Sequence, residues 1–317
     1  MKKFIGNIIL FCSIIITILY LLDYTITKGL RKTHFHTFNN LTKIYNSELN
    51  SDLIINGSSA AKFQLSPYLL DSILELNSYN LGMEGVGFIP QNLQSDLYLK
   101  YNKKPKIVLQ ILGDFELFRR DGLIGYMQFS PYLNMDEVKK VTKMYKGFSV
   151  LDYYIPFIRY YGSPFDIIDG FFSFFGLELR KPTGYKGYFE QDLKWNSAFD
   201  KFKKNYKDGR FIKMDPESMK LFEIYIAKCK KSKINIFFVY PPNYYEYNQY
   251  IKNQDEIISY YTKISKKYQV PFLNYSNNPL SLSKEYFYDS QHLNKKGAEL
   301  FTKILSEDIK KIIEDSK

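Results

Sequence analysis

From Phe4 to Leu22 the chain is almost uninterruptedly apolar, broken only by Gly6, Asn7, Ser13, Thr17 and Tyr20. Such a run has no polar face and predicts a helix surrounded by apolar material. Its nineteen residues would span about 28 Å at 1.5 Å per residue, close to a hydrocarbon core of roughly 30 Å. Beyond it the pattern becomes short apolar runs alternating with amphipathic stretches. Asp52–Asn56 reads as a short buried strand, and Ser66-Pro67 opens a helix, Pro being suited to a first turn. Asn77–Gly82 reads as a second strand, Phe88–Tyr101 as a helix and Lys106–Leu112 as a strongly apolar third strand. After a long interval, an amphipathic helix over Pro216–Lys231 leads into a strand at Ile234–Tyr240. A helix over Glu256–Tyr268 then leads into a strand at Val270–Tyr275. Asn294–Asp315 closes the chain as a helix, with Leu300, Phe301, Ile304, Leu305 and Ile309 at three- and four-residue spacing. Strands alternating with helices predict an α/β fold with a doubly wound, mostly parallel sheet.

Between about Phe115 and Gly209 this rhythm is lost. Phe129–Tyr132, Tyr153–Tyr161, Phe171–Phe175 and Gly184–Tyr188 are aromatic-rich and lack strand periodicity. The stretch reads either as an insertion over the sheet edge or as extra core. The expected organisation is an anchor with its flank at 1–32, a linker at 33–50, and one α/β domain at 51–317 carrying an insertion at about 115–209.

The anchor competes with a cleavable leader, whose apolar region would be shorter and would end at a small-residue site. Asp23-Tyr24-Thr25-Ile26 follows Leu22, which favours an uncleaved transmembrane helix. Lys2 and Lys3 precede the span while Lys28, Arg31 and Lys32 follow it, so charge alone leaves the orientation open. Short leader-like anchors keep their N-terminus inside, which puts the body of a bacterial protein outside the cytoplasmic membrane.

Charge and composition narrow the partners. The net charge of +11 is spread over helix faces, as at Lys139-Lys140 and Lys203-Lys204, without the dense block of a nucleic-acid arm. No nucleic acid is expected; an anionic membrane or envelope polymer suits such a surface better. The 29 Tyr and 26 Phe exceed what a core needs and suit sugar-binding or membrane-interface surfaces. Cys12 in the apolar run and Cys229 in a predicted helix argue against an internal disulfide. His34 and His36, without Cys, Asp or Glu beside them, make a weak metal signal, and no metal or cofactor is expected.

Three elements carry candidate chemistry. Gly57-Ser58-Ser59 joins a strand to a helix, which exposes a hydroxyl at the strand tip near free helix N–H groups. Taken alone, the two serines read equally well as helix caps. Asp289-Ser290-Gln291-His292 precedes the last helix, and a carboxylate three residues before an imidazole can fix its tautomer and support the imidazolium. His292 is the only histidine of the predicted body. Asn80-Leu81-Gly82 ends the second strand, where Gly permits close backbone approach.

In this order the three elements resemble the first, second and fifth conserved blocks of the SGNH/GDSL hydrolase superfamily. The nearest likeness is to its membrane-anchored bacterial branch, in which a GSS turn replaces GDS. The closing DSQHLNKKGAELFTKIL segment is the most specific part, and the resemblance covers roughly 50–112 and 233–310. It implies a flavodoxin-like SGNH fold, Ser59 as nucleophile, His292 as general base and Asp289 as its orienter. The N–H groups of Ser59 and Gly82 would form the oxyanion hole.

One departure stands out. Where the family's third block has an oxyanion-binding Asn, this chain has Asp114, in Gly113-Asp114-Phe115-Glu116. An ionised carboxylate there would repel an oxyanion, so Asp114 points away, orients another group or is protonated. Asn243 is a candidate substitute donor. The resemblance further implies an acyl-serine intermediate and an acylated glycan or lipid-linked saccharide as substrate, most simply the O-acetyl groups of an envelope polysaccharide. The competing expectations are a scaffold that binds partner proteins of an envelope glycan assembly complex, and a peripheral lipase.

Overall fold

The computed structural model describes residues 1–181 and 183–315, the side chain of His36 excepted. The chain divides into two compact units, one of residues 1–43 and 121–183 and one of residues 44–120 and 184–317.

The second unit is built on a five-stranded sheet: β1 (Leu53–Asn56), β2 (Ser78–Asn80), β3 (Ile107–Ile111), β4 (Asn235–Tyr240) and β5 (Phe272–Asn274). Every pairing is parallel and the spatial order is β2-β1-β3-β4-β5. This is the flavodoxin-like doubly wound order; the hydropathy pattern predicts the doubly wound, parallel sheet, and the flavodoxin-like arrangement is what the resemblance implies. Strands β1 and β3 are buried at every position because helices cover both sheet faces, which explains their continuous apolar runs. On one face Leu53, Ile55, Leu109, Ile111 and Val239 pack against Phe301, Leu305 and Ile309 of the closing helix Lys295–Asp315. On the other, Phe222 of the helix Pro216–Lys231 lies 5.3 Å from Phe238 and 5.1 Å from Phe88, at the start of the helix Phe88–Tyr101.

The strands are shorter than their apolar runs. Pro271 has no N–H to give, so it only accepts, from Phe238 N–H, and β5 begins at Phe272. β2 ends at Asn80, although Leu81 and Met83 still donate to Ile55 and Gly57. The winding reverses at β1, which runs to β2 on one side and leads to β3 on the other. The crevice at the carboxyl ends of β1 and β3 is where such sheets bind ligands, and Gly57–Ser59 and Gly113-Asp114 lie there.

The first unit contains the apolar helix Lys2–Leu30, long and apolar enough to cross a membrane. The stretch at 33–50 expected to be a linker instead holds the helix His36–Tyr45. Phe38, Leu41 and Ile44 are its buried apolar positions, a three-residue spacing hidden among Asn and Thr. Of the aromatic stretch at 115–209, residues 121–183 belong to the first unit and 184–209 to the second.

Candidate active site

Gly57 makes the turn out of β1 at φ +155°, and a Cβ there would lie 2.8 Å from Ile111 Cβ and 3.0 Å from Ala61 Cβ. Only glycine lets β1, β3 and the helix Ser59–Gln64 converge this closely. Ser58 holds the N-cap position but its side chain makes no cap bond; its hydroxyl instead donates to Glu116. Ser59 opens the helix, at a position whose N–H has no intrahelical acceptor.

The structure brings together Ser59, His292 and Asp289. Ser59 Oγ lies 2.7 Å from His292 Nε2, and His292 Nδ1 lies 2.9 and 3.0 Å from the two oxygens of Asp289. Asp289 also accepts the backbone N–H groups of Gln291 (2.8 Å) and His292 (2.9 Å), so one carboxylate both closes the turn and holds the imidazole. Burial pushes the Asp289 carboxyl up, but hydrogen bonds from the His292 ring, its charge and these two amides outweigh that and hold it below the ordinary aspartate value. An ionised Asp289 on Nδ1 leaves Nε2 as the acceptor facing the serine hydroxyl, the arrangement that lets imidazole take the serine proton.

Several supporting residues have no local sequence signal. Gln64, at the end of the serine helix, donates to the Gln291 carbonyl (2.8 Å), which ties the serine and histidine segments directly. Tyr288 stacks on the His292 ring with centroids 5.4 Å apart and planes 7° from parallel, and Phe63 meets the ring edge-on at 6.0 Å. Lys62, one helical turn beyond Ser59, pairs with Glu84 at 3.8 Å; burial lowers its pKa and Glu84 partly restores it. Beneath the turn, Asn56 Nδ2 donates to Gln110 Oε1 (2.8 Å), and Gln110 Nε2 lies 3.5 Å from Glu116. Burial pushes Glu116 up to about 8, hydrogen bonds from Gln91 and Ser58 pulling the other way. A polar Asn and Gln inside the runs LIIN and IVLQI were the visible trace of this network.

The oxyanion side differs from expectation at Gly82, and Asp114 takes one of the places the sequence left open to it. Gly82 N–H donates to Asn80 Oδ1 at 2.8 Å, while Asn80 Nδ2 donates to the carbonyls of Ala61 and Leu65. Asn80 thus clamps the serine helix to β2, and the Gly82 amide is spent on that clamp rather than turned toward an oxyanion. Asp114 is buried and accepts the Tyr240 hydroxyl at 2.5 Å, with Gln254 Nε2 at 3.4 Å. Burial pushes its carboxyl up to about 6 against those two donors, so at neutral pH it is mostly an acceptor and cannot donate to an oxyanion. The Ser59 amide is the expected donor that neither contact removes. Asn243 is buried just before Tyr244, whose N–H donates to the Ser290 carbonyl, so its backbone borders the histidine turn. His34 lies in the first unit, 3.2 Å from Glu178. Among the described residues no group of three or more His, Cys, Asp and Glu could hold a metal.

No protein-family model and no curated protein matches the chain. Among solved structures, one similar chain is described as a lipolytic protein of the G-D-S-L family from Desulfitobacterium hafniense. It is 12% identical, with a TM-score of 0.40, over 81% of this chain and 99% of that one. Another, described as a platelet activating factor from Streptococcus pneumonia, is 13% identical, with a TM-score of 0.44, over 94% and 97%. These likenesses are distant, and the fold stands on its own strand order and register.

Proposed function

We propose that the protein is a serine esterase or O-acyltransferase that works through an acyl-serine intermediate. The observation that carries this reading is the 2.7 Å approach of Ser59 Oγ to His292 Nε2 with Asp289 on the other ring nitrogen. In this reading Ser59 attacks an ester carbonyl while His292 accepts its proton, and the imidazolium is supported by Asp289. The tetrahedral oxyanion is met by the Ser59 N–H. His292 returns the proton to the leaving alkoxide, and water or an acceptor hydroxyl then takes the acyl group by the same steps in reverse. The anchor helix would hold the second unit at the outer face of a bacterial cytoplasmic membrane. An acylated glycan or lipid-linked saccharide, with an O-acetyl group as the simplest acyl group, fits that placement.

A second reading, a catalytically weak scaffold within an envelope glycan assembly complex, is favoured by one observation. Gly82, an expected oxyanion donor, is engaged elsewhere, and Asp114, which stands where the family's third block has a donor Asn, accepts the Tyr240 hydroxyl. Loss of one such donor costs about 10²–10³ in kcat. A fluorophosphonate probe separates the readings. The enzyme reading expects the full-length protein to label, Ser59→Ala and His292→Ala to remain unlabelled, and acetyl esters to turn over in preference to long-chain esters. Equal labelling of wild type and Ser59→Ala would overturn it, and long-chain preference would replace the glycan substrate with a lipid.

A further inference from the structure

We propose that the first unit carries a second membrane-contacting element: the surface formed by Tyr161, the helix Pro164–Phe174 and the residues just after it lies in lipid at the membrane–water interface. The inference rests on reading Lys2–Leu30 as the membrane span. That helix is 29 residues long, about 43 Å against a hydrocarbon core of roughly 30 Å, so it extends beyond the core. Its side chains stay largely exposed through Leu21 and become buried only at Ile26, Thr27, Gly29 and Leu30.

The helix Pro164–Phe174 packs on that end. Gly29 and Gly170 meet with no room for a Cβ on either, so the two backbones touch. Ile26 and Leu30 form a cluster with Phe38 and Tyr160, and the Thr27 and Tyr160 hydroxyls are 2.6 Å apart. Asp23, at the end of the apolar run, accepts the Phe157 N–H at 2.9 Å and pairs with Arg159. The segment is therefore fixed at the level where the anchor leaves the hydrocarbon.

Its outer face is apolar. Tyr161 is 86% exposed, Phe165 75% and Phe175 62%, with Ile168, Phe171 and Leu177 also exposed. A contiguous face of this kind is unfavourable in water and marks a contact surface. Two features identify lipid as the occupant. The face adjoins the exposed side of the apolar helix, where Tyr24 meets Phe174 edge-on at 6.3 Å and Phe174 meets Phe175 at 5.2 Å. It is also edged by cations beside aromatic rings, Lys32 Nζ 5.3 Å from the Phe174 centroid and Lys28 Nζ 5.8 Å from that of Tyr24. Aromatic rings mixed with basic side chains are the composition of the headgroup boundary, where cations meet anionic lipids.

The test uses the full-length protein in phosphatidylcholine–phosphatidylglycerol vesicles, with Trp195→Phe removing the one native tryptophan. Phe165→Trp and Phe175→Trp report on the proposed face and Ile16→Trp on the span. Because Trp195 packs on Tyr244 at 4.8 Å, the same reporters are also read as difference spectra with Trp195 retained. The expected result is that residues 165 and 175 are blue-shifted and shielded from acrylamide. They should be quenched more by lipids brominated near the glycerol end of the chain than near its methyl end. Quenching by acrylamide and not by bromolipid would place the face in water and overturn the proposal. Shielding from both quenchers would show a protein occupant, a second copy or a membrane partner, and also overturn it. If Ile16→Trp escapes the bromolipids as well, the span reading falls and the proposal falls with it.

Discussion

Glu116 is a buried acid whose hydrogen-bond partners Gln91, Ser58 and Gln110 are all neutral, and its proton is therefore coupled to folding. Burial lifts its carboxyl from 4.5 to about 8, while in the unfolded chain it ionises near its ordinary value. Between those two values the unfolded state gives up the proton and the folded state keeps it, so stability falls as pH rises across the window. Above it both states are ionised and the penalty stays constant. Glu116→Gln has no proton to lose but keeps an oxygen for the Ser58 hydroxyl. The variant should therefore gain on the wild type as pH rises from 5 to 8, read as the difference in denaturant midpoints at pH 5, 6.5 and 8. Asp114, with the same sign and a pKa of about 6, stays in both proteins and cancels from that difference. A constant offset across the three pH values would mean that Glu116 titrates alike in both states.

At the scale of elements, the turn between β1 and the serine helix has the narrowest tolerance. Gly57→Ala must either leave φ +155° or press its methyl on Ile111 and Ala61, which typically costs about 1–3 kcal/mol. The same shift would move Ser59 off His292, so labelling by the serine probe should fall further than stability does, measured as probe rate beside the denaturation midpoint. Unchanged labelling in a destabilised Gly57→Ala would show that the serine is not positioned by this turn. The turn also shows what could be read from sequence. Strand β1, its glycine and the Asp289–His292 turn are local patterns, visible because each rests on neighbours in the chain. The Asn80 clamp, the Tyr288 stack and the Asn56–Gln110–Glu116 network join residues from separate elements, so no local spacing announces them. The helix His36–Tyr45 was missed for a related reason. Its three buried apolar positions are too few to outweigh the Asn and Thr between them, and it is helical because Phe38 has Ile26, Leu30 and Tyr160 to pack against.

For the whole molecule, the division into two units predicts how the chain responds to losing its N-terminal apolar helix. Deletion of residues 1–30 is the obvious route to a water-soluble form, yet it removes Ile26 and Leu30, both buried, and the Gly29 face on which Gly170 rests. The first unit then keeps Phe38 and Tyr160 without the residues that cover them, and local opening becomes easy where buried apolar contacts are few. The second unit loses none of its residues and retains Ser59, His292 and Asp289. Limited trypsin digestion of the truncated protein should therefore cut first within 121–183, at Arg159, Arg180 or the lysines at 139–146, while the fluorophosphonate probe still labels Ser59. In the full-length protein in detergent the same bonds should be cut more slowly. Equal cleavage rates would show that the end of the helix Lys2–Leu30 contributes nothing to the first unit. Loss of labelling together with cleavage would show that the two units unfold as one.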